Sequence, residues 1–406
     1  MPLAVHLLGL AIFAQGTSEF MLSGLLPNIA TDLGVSLPDA GLLVSAFALG
    51  MVLGAPALAV ATLRVPRRTA LIAFQLAFVA GHVVGALAPG YGVLFATRIV
   101  SAVAYAGFWA VAAATAVALA PPEAKGRALS VVGTGLTLAT VVGVPAGTVL
   151  SQHAGWRAAF WAVAGLTVLS ALSLLAALPA ARTARAATQM LSIRGELTGL
   201  ARPRLWLSFL ITALTFGAGV VTFSYLAPLL TEVTGLPAAW VPVVLSLYGV
   251  GGLVGVTVGG RYADTAPLRT LALGTAVLTL ASAALALTAA QLPAALALVA
   301  VLGFTAYVTN PVLQSRVFRL APDAPTLVPA VNTSAFNVGI TLTPMLGGLT
   351  INAGLGLRSV AWVGAATGLL ALLATAYAAT LQRPTRDTPP TSAPHAPTPT
   401  STPVDA

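Results

Sequence analysis

The stretch GTSEFMLSG at residues 16–24 places a glutamate inside an apolar run that extends from Leu3 to about Ile29. This run is long enough to cross a bilayer as a helix, because a span needs about 20 apolar residues. An acid near the middle of a span is costly in lipid, so it usually faces the interior of a helix bundle and serves a function. Glu19 therefore predicts a membrane fold and marks its candidate site.

The composition of the whole chain also indicates a membrane protein. Hydrophobic residues make up 58% and charged residues only 7% of the 406 residues, whereas soluble domains carry about 25% charged residues. Lipid is the natural solvent for such a chain. The absence of cysteine excludes disulfides, zinc–thiolate sites and iron–sulfur clusters. The four histidines are far apart in sequence, so we expect neither a metal site nor a cofactor.

Apolar runs predict an all-α fold of twelve transmembrane helices, divided six and six by a basic, polar stretch. We expect an N-terminal six-helix bundle at 1–180, a cytoplasmic basic linker at 181–204 and a C-terminal six-helix bundle at 205–382. Residues 383–406 are rich in Pro, Thr and Ser, which predicts a disordered tail. The runs lie near residues 3–26, 41–63, 70–88, 93–119, 128–151, 157–178, 205–230, 238–260, 270–290, 294–315, 328–351 and 358–381.

The distribution of basic residues predicts the orientation. Loops on one side of the predicted membrane carry nearly all of them, whereas the opposite loops carry only Arg157 and Arg358. Because basic loops stay in the cytoplasm, we expect both termini to be cytoplasmic. The net charge of +9 then reflects topology and does not indicate nucleic-acid binding. Lys125 is the only lysine, and this bias towards arginine is typical of a GC-rich bacterial gene, which predicts a bacterial cell membrane.

The chain matches itself when it is shifted by 201 residues. Because Pro, Arg and Trp are uncommon here and match at the same loop ends, the matches indicate a duplication. Each unit has six spans, so the two halves have the same orientation. This parallel repeat is similar to that of major facilitator transporters, whose site lies near the midplane between halves. The matched pairs include Ser23/Ser224, Pro27/Pro228, Pro66/Pro267, Arg68/Arg269, Arg157/Arg358 and Trp161/Trp362.

Two charged positions differ between the halves. Glu19 matches Val220, and Arg98 matches Val299. A shared scaffold does not need these charges, so they are candidates for proton coupling. Opposite charges within a membrane usually face the bundle interior and pair. Burial opposes ionisation of a carboxyl and a nearby guanidinium favours it, so Glu19 can exchange a proton while Arg98 biases it. A fixed structural ion pair is the alternative.

Polar and aromatic residues on the predicted helices 1, 4, 7 and 11 are candidates for substrate binding. Gln15, Glu19 and Ser23 recur every fourth residue and form one polar stripe. The set fits a small, neutral, partly aromatic cargo in a mixed apolar and polar cavity, and packing is the alternative for each member. His82 is interpreted as a packed, neutral residue, with a proton relay as the alternative. The substrate candidates are Gln15, Ser23, Tyr105, Phe108, Trp109, Tyr225, Asn332, Phe336 and Asn337.

Two short basic segments resemble the 2–3 and 8–9 loop motif of major facilitators. They are GAPALAVATLRVPRR (54–68) and GVTVGGRYADTAPLR (255–269), and the first has no acid. The resemblance implies a conformational latch for the outward-facing state, weakened in the first half. Anchoring of the helices by basic residues is the alternative. The latch candidates are Arg64, Arg67, Arg68, Arg261, Asp264 and Arg269.

The predicted helix 5 contains GLTLATVVGVPAG at residues 135–147. Glycine lets helices approach closely and proline kinks them. The segment resembles the fifth-helix signature of drug:proton antiporters, although Val144 interrupts the pattern. A packing kink alone is the alternative. The residues concerned are Gly135, Gly143, Pro145 and Gly147.

Four segments together resemble the arabinose-efflux-like branch of the major facilitators, and within it the chloramphenicol exporters of actinobacteria. The resemblance covers about residues 3–380. It implies a drug:proton antiporter that exports chloramphenicol-like compounds by alternating access, and we expect the protein to function as a monomer. A sugar or metabolite exporter of the same fold and an uncoupled facilitator are the alternatives, and no nucleophile–base constellation indicates an enzyme. The segments are FAQGTSEFMLSGLLPNIATDLGVS, GWRAAFWAV, FSYLAPLL and AFNVG.

Overall fold

A computed structural model describes residues 2–62, 65–121, 124–178, 200–263, 265–321 and 327–381. Within these ranges it contains twelve helices that are long and apolar enough to cross a membrane, and no β-strand. The predicted all-α class and the number of spans are therefore confirmed. Arg64, Asp264, most of the predicted linker 181–204 and the predicted tail 383–406 lie outside the described residues.

The fifth helix of the first half changes its winding in the middle. This helix, α5, runs as an α-helix over Lys125–Leu138, as a π-helical turn over Ala139–Gly143 and again as an α-helix over Val144–Ala154. Pro145 follows this turn directly. Because proline lacks an N–H and its ring crowds the carbonyl four residues earlier, a wider turn at this point accommodates it. The other helices of this half are α1 (Leu3–Leu33), α2 (Leu37–Ala61), α3 (Arg67–Ala86), α4 (Tyr91–Leu119) and α6 (Trp156–Ala177).

In the second half, α7 to α10 each have a proline within their first two positions. Proline suits these positions, because the first N–H groups of a helix have no intrahelical partner. The helices are α7 (Pro203–Ser224, then Leu226–Pro228 and a π-helical turn at Leu229–Val233), α8 (Val241–Tyr262), α9 (Pro267–Thr288), α10 (Leu292–Val308 and Asn310–Leu320), α11 (Leu327–Thr350 with a π-helical turn at Ile351–Leu355) and α12 (Arg358–Thr380).

Two helix ends differ from the predicted ends. α1 continues to Leu33, because polar Asn28, Thr31 and Asp32 extend the helix beyond the apolar run. α10 continues to Leu320, so Arg316, which was predicted to lie in a loop, belongs to the helix and is only 6% exposed.

The packing of the helices repeats between the halves. The fourth span covers Tyr91–Leu119, and the tenth covers Leu292–Leu320, which is the same segment shifted by 201 residues. α2 packs on α4 as α8 packs on α10, and α3 packs on α6 as α9 packs on α12. The duplication seen in the sequence is therefore a duplication of the bundle.

The halves meet mainly along α2 with α11 and along α5 with α8. Ser45 of α2 donates a hydrogen bond to the carbonyl oxygen of Thr341, over 2.7 Å. On the other side, a Cβ at Gly249 would lie 2.7 Å from the Cα of Val141, so only glycine permits this approach of α8 to α5. These two contacts enclose the space between the bundles.

An even number of spans in each half places both ends of the described chain on one face, here called the terminal face. On the opposite face, Tyr225 inserts between the halves and is 1% exposed. Its hydroxyl donates to the carbonyl oxygen of Pro344 over 3.1 Å, and a Cβ at Gly41 would lie 2.1 Å from that hydroxyl. Gly41, Tyr225 and Pro344 form an opposite-face seal that joins α2 to α7 and α11.

Candidate transport site

A narrow cavity lies between the two halves at the level of Glu19. Residues of α1, α2, α7 and α11 form its wall. Glu19 is the one ionisable residue among the described residues that line it. The lining residues of this central cavity are Glu19, Phe20, Ser23, Val44, Phe47, Ala48, Val220, Phe223, Ser224 and Ile340.

Residues at matching positions of the two halves converge in the central cavity. Glu19 and Val220 both line it, and so do Ser23 and Ser224. The cavity therefore lies where the two repeats meet, as expected for a transporter built from parallel repeats. One wall presents a carboxyl group, and the matching wall presents a valine.

Aromatic rings from both halves border the central cavity. Phe20 of α1 and Phe223 of α7 meet edge to face, with ring centroids 6.4 Å apart and planes at 72°. Phe47 of α2 contributes a third ring. Rings beside a single carboxyl and two hydroxyls suit a small, partly aromatic molecule with polar substituents.

Arg98 of α4 lies beside the cavity and is 1% exposed. Its Nη1 donates to Ser18 Oγ over 2.7 Å, and its Nη2 donates to the Ser18 carbonyl oxygen over 2.9 Å. Its guanidinium carbon lies 4.2 Å from the ring centroid of Phe47. Phe47 therefore separates the buried cation from the cavity and stabilises it by a cation–π interaction.

The expected direct ion pair between Glu19 and Arg98 is not formed in this conformation. Within the described ranges the single ion pair joins Asp32 and Arg157. Neighbouring residues of a helix point about 100° apart, so the guanidinium that binds Ser18 lies beside Glu19 without contacting it.

His82 of α3 completes the Arg98 network, which consists of Ser18, His82 and Arg98. Its Nε2 lies 2.6 Å from Ser18 Oγ, and its Nδ1 lies 2.9 Å from the carbonyl oxygen of Phe78. A carbonyl only accepts, so Nδ1 carries the proton. Ser18 Oγ accepts from Arg98 and donates its own proton to Nε2, which assigns a neutral imidazole. No sequence pattern indicated this contact, because it depends on how three helices are rotated.

The α4 candidates occupy different places. Tyr105 is 1% exposed, and its ring contacts those of Phe47 and Trp109, with centroids 6.0 Å and 6.3 Å away. Phe108 is fully buried in the core of the first half, and Trp109 is half-buried. Tyr105 therefore contacts Phe47, a ring that lines the central cavity.

Two candidate amides have unmet hydrogen-bonding capacity. Gln15 is fully buried, and neither atom of its amide has a partner within the described chain. Asn337 donates to the Thr333 carbonyl oxygen over 3.0 Å, whereas its Oδ1 has no partner there. Buried polar groups are nearly always paired, so these two amides, one in each half, are exceptions among the described residues.

Three other substrate candidates serve packing in this conformation. Asn332 accepts from Thr212 over 3.0 Å, inside the second half. Phe336 packs edge to face on Phe216, with centroids 5.0 Å apart. Tyr225 belongs to the opposite-face seal.

The helix-5 glycines pack α5 against α1. A Cβ at Gly135 would lie 2.1 Å from the carbonyl oxygen of Gly9, and one at Gly143 would lie 2.1 Å from Thr17 Oγ1. At Gly147 the nearest atom would be Met21 Cβ, at 3.3 Å. These contacts support the packing interpretation of the motif. They also position α1, which carries Glu19.

The described latch candidates lie at the terminal face. Arg67 and Arg68 begin α3, and Arg68 donates to the Leu175 carbonyl oxygen over 2.7 Å. Arg261 ends α8, and Arg269 is exposed in the first turn of α9. No ion pair joins these four residues to any described acid, and the latch remains a prediction. In the same ranges, no three His, Asp or Glu residues group as metal ligands would.

Twelve helices in two repeated bundles, with one cavity between them, form the architecture of a multi-pass membrane transporter of small molecules. A family model for the Major Facilitator Superfamily matches residues 8–328. The chain belongs to this superfamily.

Three relatives are similar to the chain over nearly its whole length. A chloramphenicol resistance protein of Streptomyces lividans is 45% identical, over 92% of this chain and 95% of its own. The inner membrane transport protein YdhP of Escherichia coli (strain K12) is 38% identical, over 92% and 95%. The uncharacterized MFS-type transporter YtbD of Bacillus subtilis (strain 168) is 36% identical, over 94% and 96%.

A solved structure has the same fold. It is the crystal structure of a bacterial homolog to the human lysosomal transporter Spinster, in an inward-facing and occupied conformation. The TM-score is 0.72 at 18% sequence identity, and the alignment covers 93% of this chain and 96% of that one. At this identity the likeness supports the fold alone.

Proposed function

We propose that this protein exports small, chloramphenicol-like drugs across a bacterial cell membrane in exchange for protons. It works as a monomer with both termini in the cytoplasm. The proposed moving units are the bundles 1–180 and 205–382, joined by the linker 181–204 and followed by the tail 383–406. The observation that carries the proposal is that Glu19 supplies the single carboxyl among the described residues lining the central cavity, at the meeting point of the repeats. The similarity to the Streptomyces lividans protein supports the choice of cargo.

Glu19 is the proposed proton carrier. Proton and cargo compete, because both use the same cavity and the carboxyl lines its wall. In the conformation described here, Arg98 is held by Ser18 and not by Glu19, an arrangement suited to a neutral carboxyl. When Glu19 releases its proton, the carboxylate attracts the guanidinium of Arg98. The protein then alternates between a proton-loaded and a cargo-loaded form.

Polar groups in and beside the cavity are proposed to orient the cargo. Ser23 lines the wall, and the unpaired amides of Gln15 and Asn337 offer donors and acceptors from opposite halves. Phe20 and Phe223 offer rings against which an aromatic cargo can pack.

The driving force is sufficient for resistance. Exchange of one proton for a neutral drug moves one net charge, worth about 2.3 kcal/mol per 100 mV. This free energy corresponds to roughly fifty-fold accumulation. A pH gradient adds about 1.4 kcal/mol per unit.

Transport of labelled chloramphenicol into inverted membrane vesicles tests the proposal. We expect accumulation when a proton gradient is imposed, and its loss on addition of an uncoupler. Labelled sugars measured in the same vesicles separate drug export from sugar export. Accumulation that an uncoupler leaves unchanged would exclude proton coupling, and accumulation of a sugar but not of the drug would exclude the proposed cargo.

A further inference from the structure

A second cavity lies at the terminal face between the start of α9 and the end of α10. It is separate from the central cavity, with which it shares no lining residue. Two arginines and several apolar side chains form its described wall, which contains no acid. The lining residues of this terminal cavity are Pro267, Leu268, Val312, Arg316, Arg319 and Leu320.

Arg316 supplies the positive charge that faces the terminal cavity. The residue is 6% exposed, and its Nε donates to Ser208 Oγ over 2.9 Å. Its Nη1 and Nη2 have no partner among the described residues. A guanidinium offers five N–H donors, and burial of a cation is unfavourable unless a counter-charge accompanies it. The open edge of Arg316 is therefore available to an anion.

Two neighbouring features increase the positive potential. Arg319, one turn along the same helix, lines the cavity and donates to the Ala263 carbonyl oxygen over 3.4 Å. α9 begins at Pro267, and no side chain caps its first turn. The free N–H groups and the dipole of a helix start favour an anion. Arg316 and the start of α9 thus face the same space, which Arg319 also lines.

The other wall of the terminal cavity is apolar, formed by Leu268, Val312 and Leu320. Nearby, Leu273 of α9 and Phe318 of α10 expose 67% and 46% of their surface on the outside of the bundle. In a membrane-spanning helix such side chains contact lipid tails. A charged pocket above an apolar surface matches the structure of a phospholipid, whose phosphate joins a headgroup to acyl chains.

We propose that the terminal cavity binds a phosphate group, and that an anionic membrane lipid supplies it. Two Nη donors of a guanidinium match two oxygens of a phosphate, and basic pockets between helices near the membrane surface suit anionic headgroups. The site belongs to the second half only. In the first half, Thr115 and Ala118 stand at the positions that match Arg316 and Arg319.

Lipid binding to the purified, delipidated full-length protein tests the site. Short-chain phosphatidylglycerol, short-chain phosphatidylcholine and inorganic phosphate are each titrated, and affinity is measured by native mass spectrometry and thermal shift. We expect Arg316→Gln to weaken phosphatidylglycerol binding by at least about tenfold, or about 1.4 kcal/mol. Arg204→Gln is the matched control, because Arg204 is exposed on the same face at the start of α7, and it leaves the affinity unchanged.

Leu268→Trp fills the cavity and keeps both arginines, so it tests lipid binding at this site even if Arg316→Gln does not fold. Binding of phosphatidylglycerol that both variants leave at the wild-type affinity would overturn the site. If inorganic phosphate binds in an Arg316-dependent manner and phosphatidylglycerol does not displace it, the lipid source is overturned. Stronger binding of phosphatidylglycerol than of phosphatidylcholine supports the anionic lipid.

Discussion

The two halves of the molecule share a scaffold but differ in chemistry. In the first half, polar side chains surround the point where α1 meets α3 and α4. In the second half, small or apolar residues stand at the matching positions, and a Cβ on Gly219 would already lie 3.0 Å from Ala306 Cβ. The matched pairs are Ser18/Gly219, Glu19/Val220, His82/Ala283, Arg98/Val299 and Tyr105/Ala306.

The shared and the differing positions correspond to two tasks of a transporter, which are to form the bundle and to handle charge. Positions that shape the bundle, such as Gly147/Gly348 and Ser23/Ser224, are the same in both halves. The charged positions at and beside the central cavity, Glu19 and Arg98, occur in the first half only. We infer that the first half carries the proton and that the second half supplies a matching, uncharged wall against which it rocks.

The largest expected effects follow from removing the carboxyl group of Glu19 and from moving it to the opposite wall of the cavity. Glu19→Gln should abolish the accumulation driven by a membrane potential, roughly fifty-fold per 100 mV, because no group in the cavity then exchanges a proton. The exchanged variant Glu19→Val/Val220→Glu should not restore it, since the matching wall lacks an arginine. Vesicle uptake measures both. Full accumulation by the exchanged variant would show that the halves are equivalent.

The second prediction concerns Arg98. Arg98→Lys should reduce coupled export by about tenfold, because one ammonium group does not reproduce two charge-assisted bonds to Ser18. Export rates at equal protein level in the membrane provide the measurement. Arg204→Lys is the control at an exposed site, and a rate equal to that of wild type in both variants would contradict the role of the Arg98 network.

The third prediction tests the opposite-face seal. Gly41→Ala should hold the seal open, because the added Cβ would meet the Tyr225 hydroxyl. Gly165→Ala is the matched control, since nothing lies within 4 Å of a Cβ there. The chain has no cysteine, so labelling of a single Ser23→Cys from the opposite face reports on the seal. Labelling that Gly41→Ala does not accelerate would contradict this assignment.

The fourth prediction compares two glycines on α5. Gly135→Ala should lower the free energy of unfolding by about 1–3 kcal/mol, the usual cost of overpacking, because its Cβ would overlap the Gly9 carbonyl oxygen. Gly133→Ala, where a Cβ meets nothing within 4 Å, should have almost no effect. Thermal unfolding in detergent distinguishes them. Equal melting temperatures of the two variants would rule out the packing role.

The smallest effect is expected at His82. His82→Leu should leave the Ser18 hydroxyl without an acceptor, at a cost of about 1–3 kcal/mol, and should slow export only modestly. In a double-mutant cycle, His82→Leu should add nothing to Ser18→Ala, since both remove one bond. Fully additive losses in export rate would mean that His82 acts independently of Ser18.

Much of the fold was predictable, because the lipid bilayer restricts which segments of a chain can cross it. Helices of sufficient length leave long apolar runs, and a duplication leaves matched Pro, Arg and Trp residues. Glu19 revealed the seam for the same reason, since an acid inside a span must face protein. The predicted end of α1 was wrong, because the helix continues through Asn28, Thr31 and Asp32, which are polar and lie beyond the apolar run.

The contacts of the site were less predictable. Arg98 binds Ser18 and not the neighbouring Glu19, and this choice depends on how α1 and α4 are rotated. Phe20 and Phe223 were missed as cavity residues, because a phenylalanine within an apolar run gives no periodic signal. Tyr225 looked like a cargo residue, and the structure uses it to close the opposite face.

Proton movement driven by the cargo tests the central claim most directly. Purified protein is placed in liposomes that contain a pH-sensitive dye, and a chloramphenicol gradient is imposed without any proton gradient. We expect wild-type protein to move protons against the flow of drug, and Glu19→Gln to carry drug down its gradient without moving protons. Proton counterflow in Glu19→Gln at the wild-type rate would show that the carboxyl of the first half is not the coupling group.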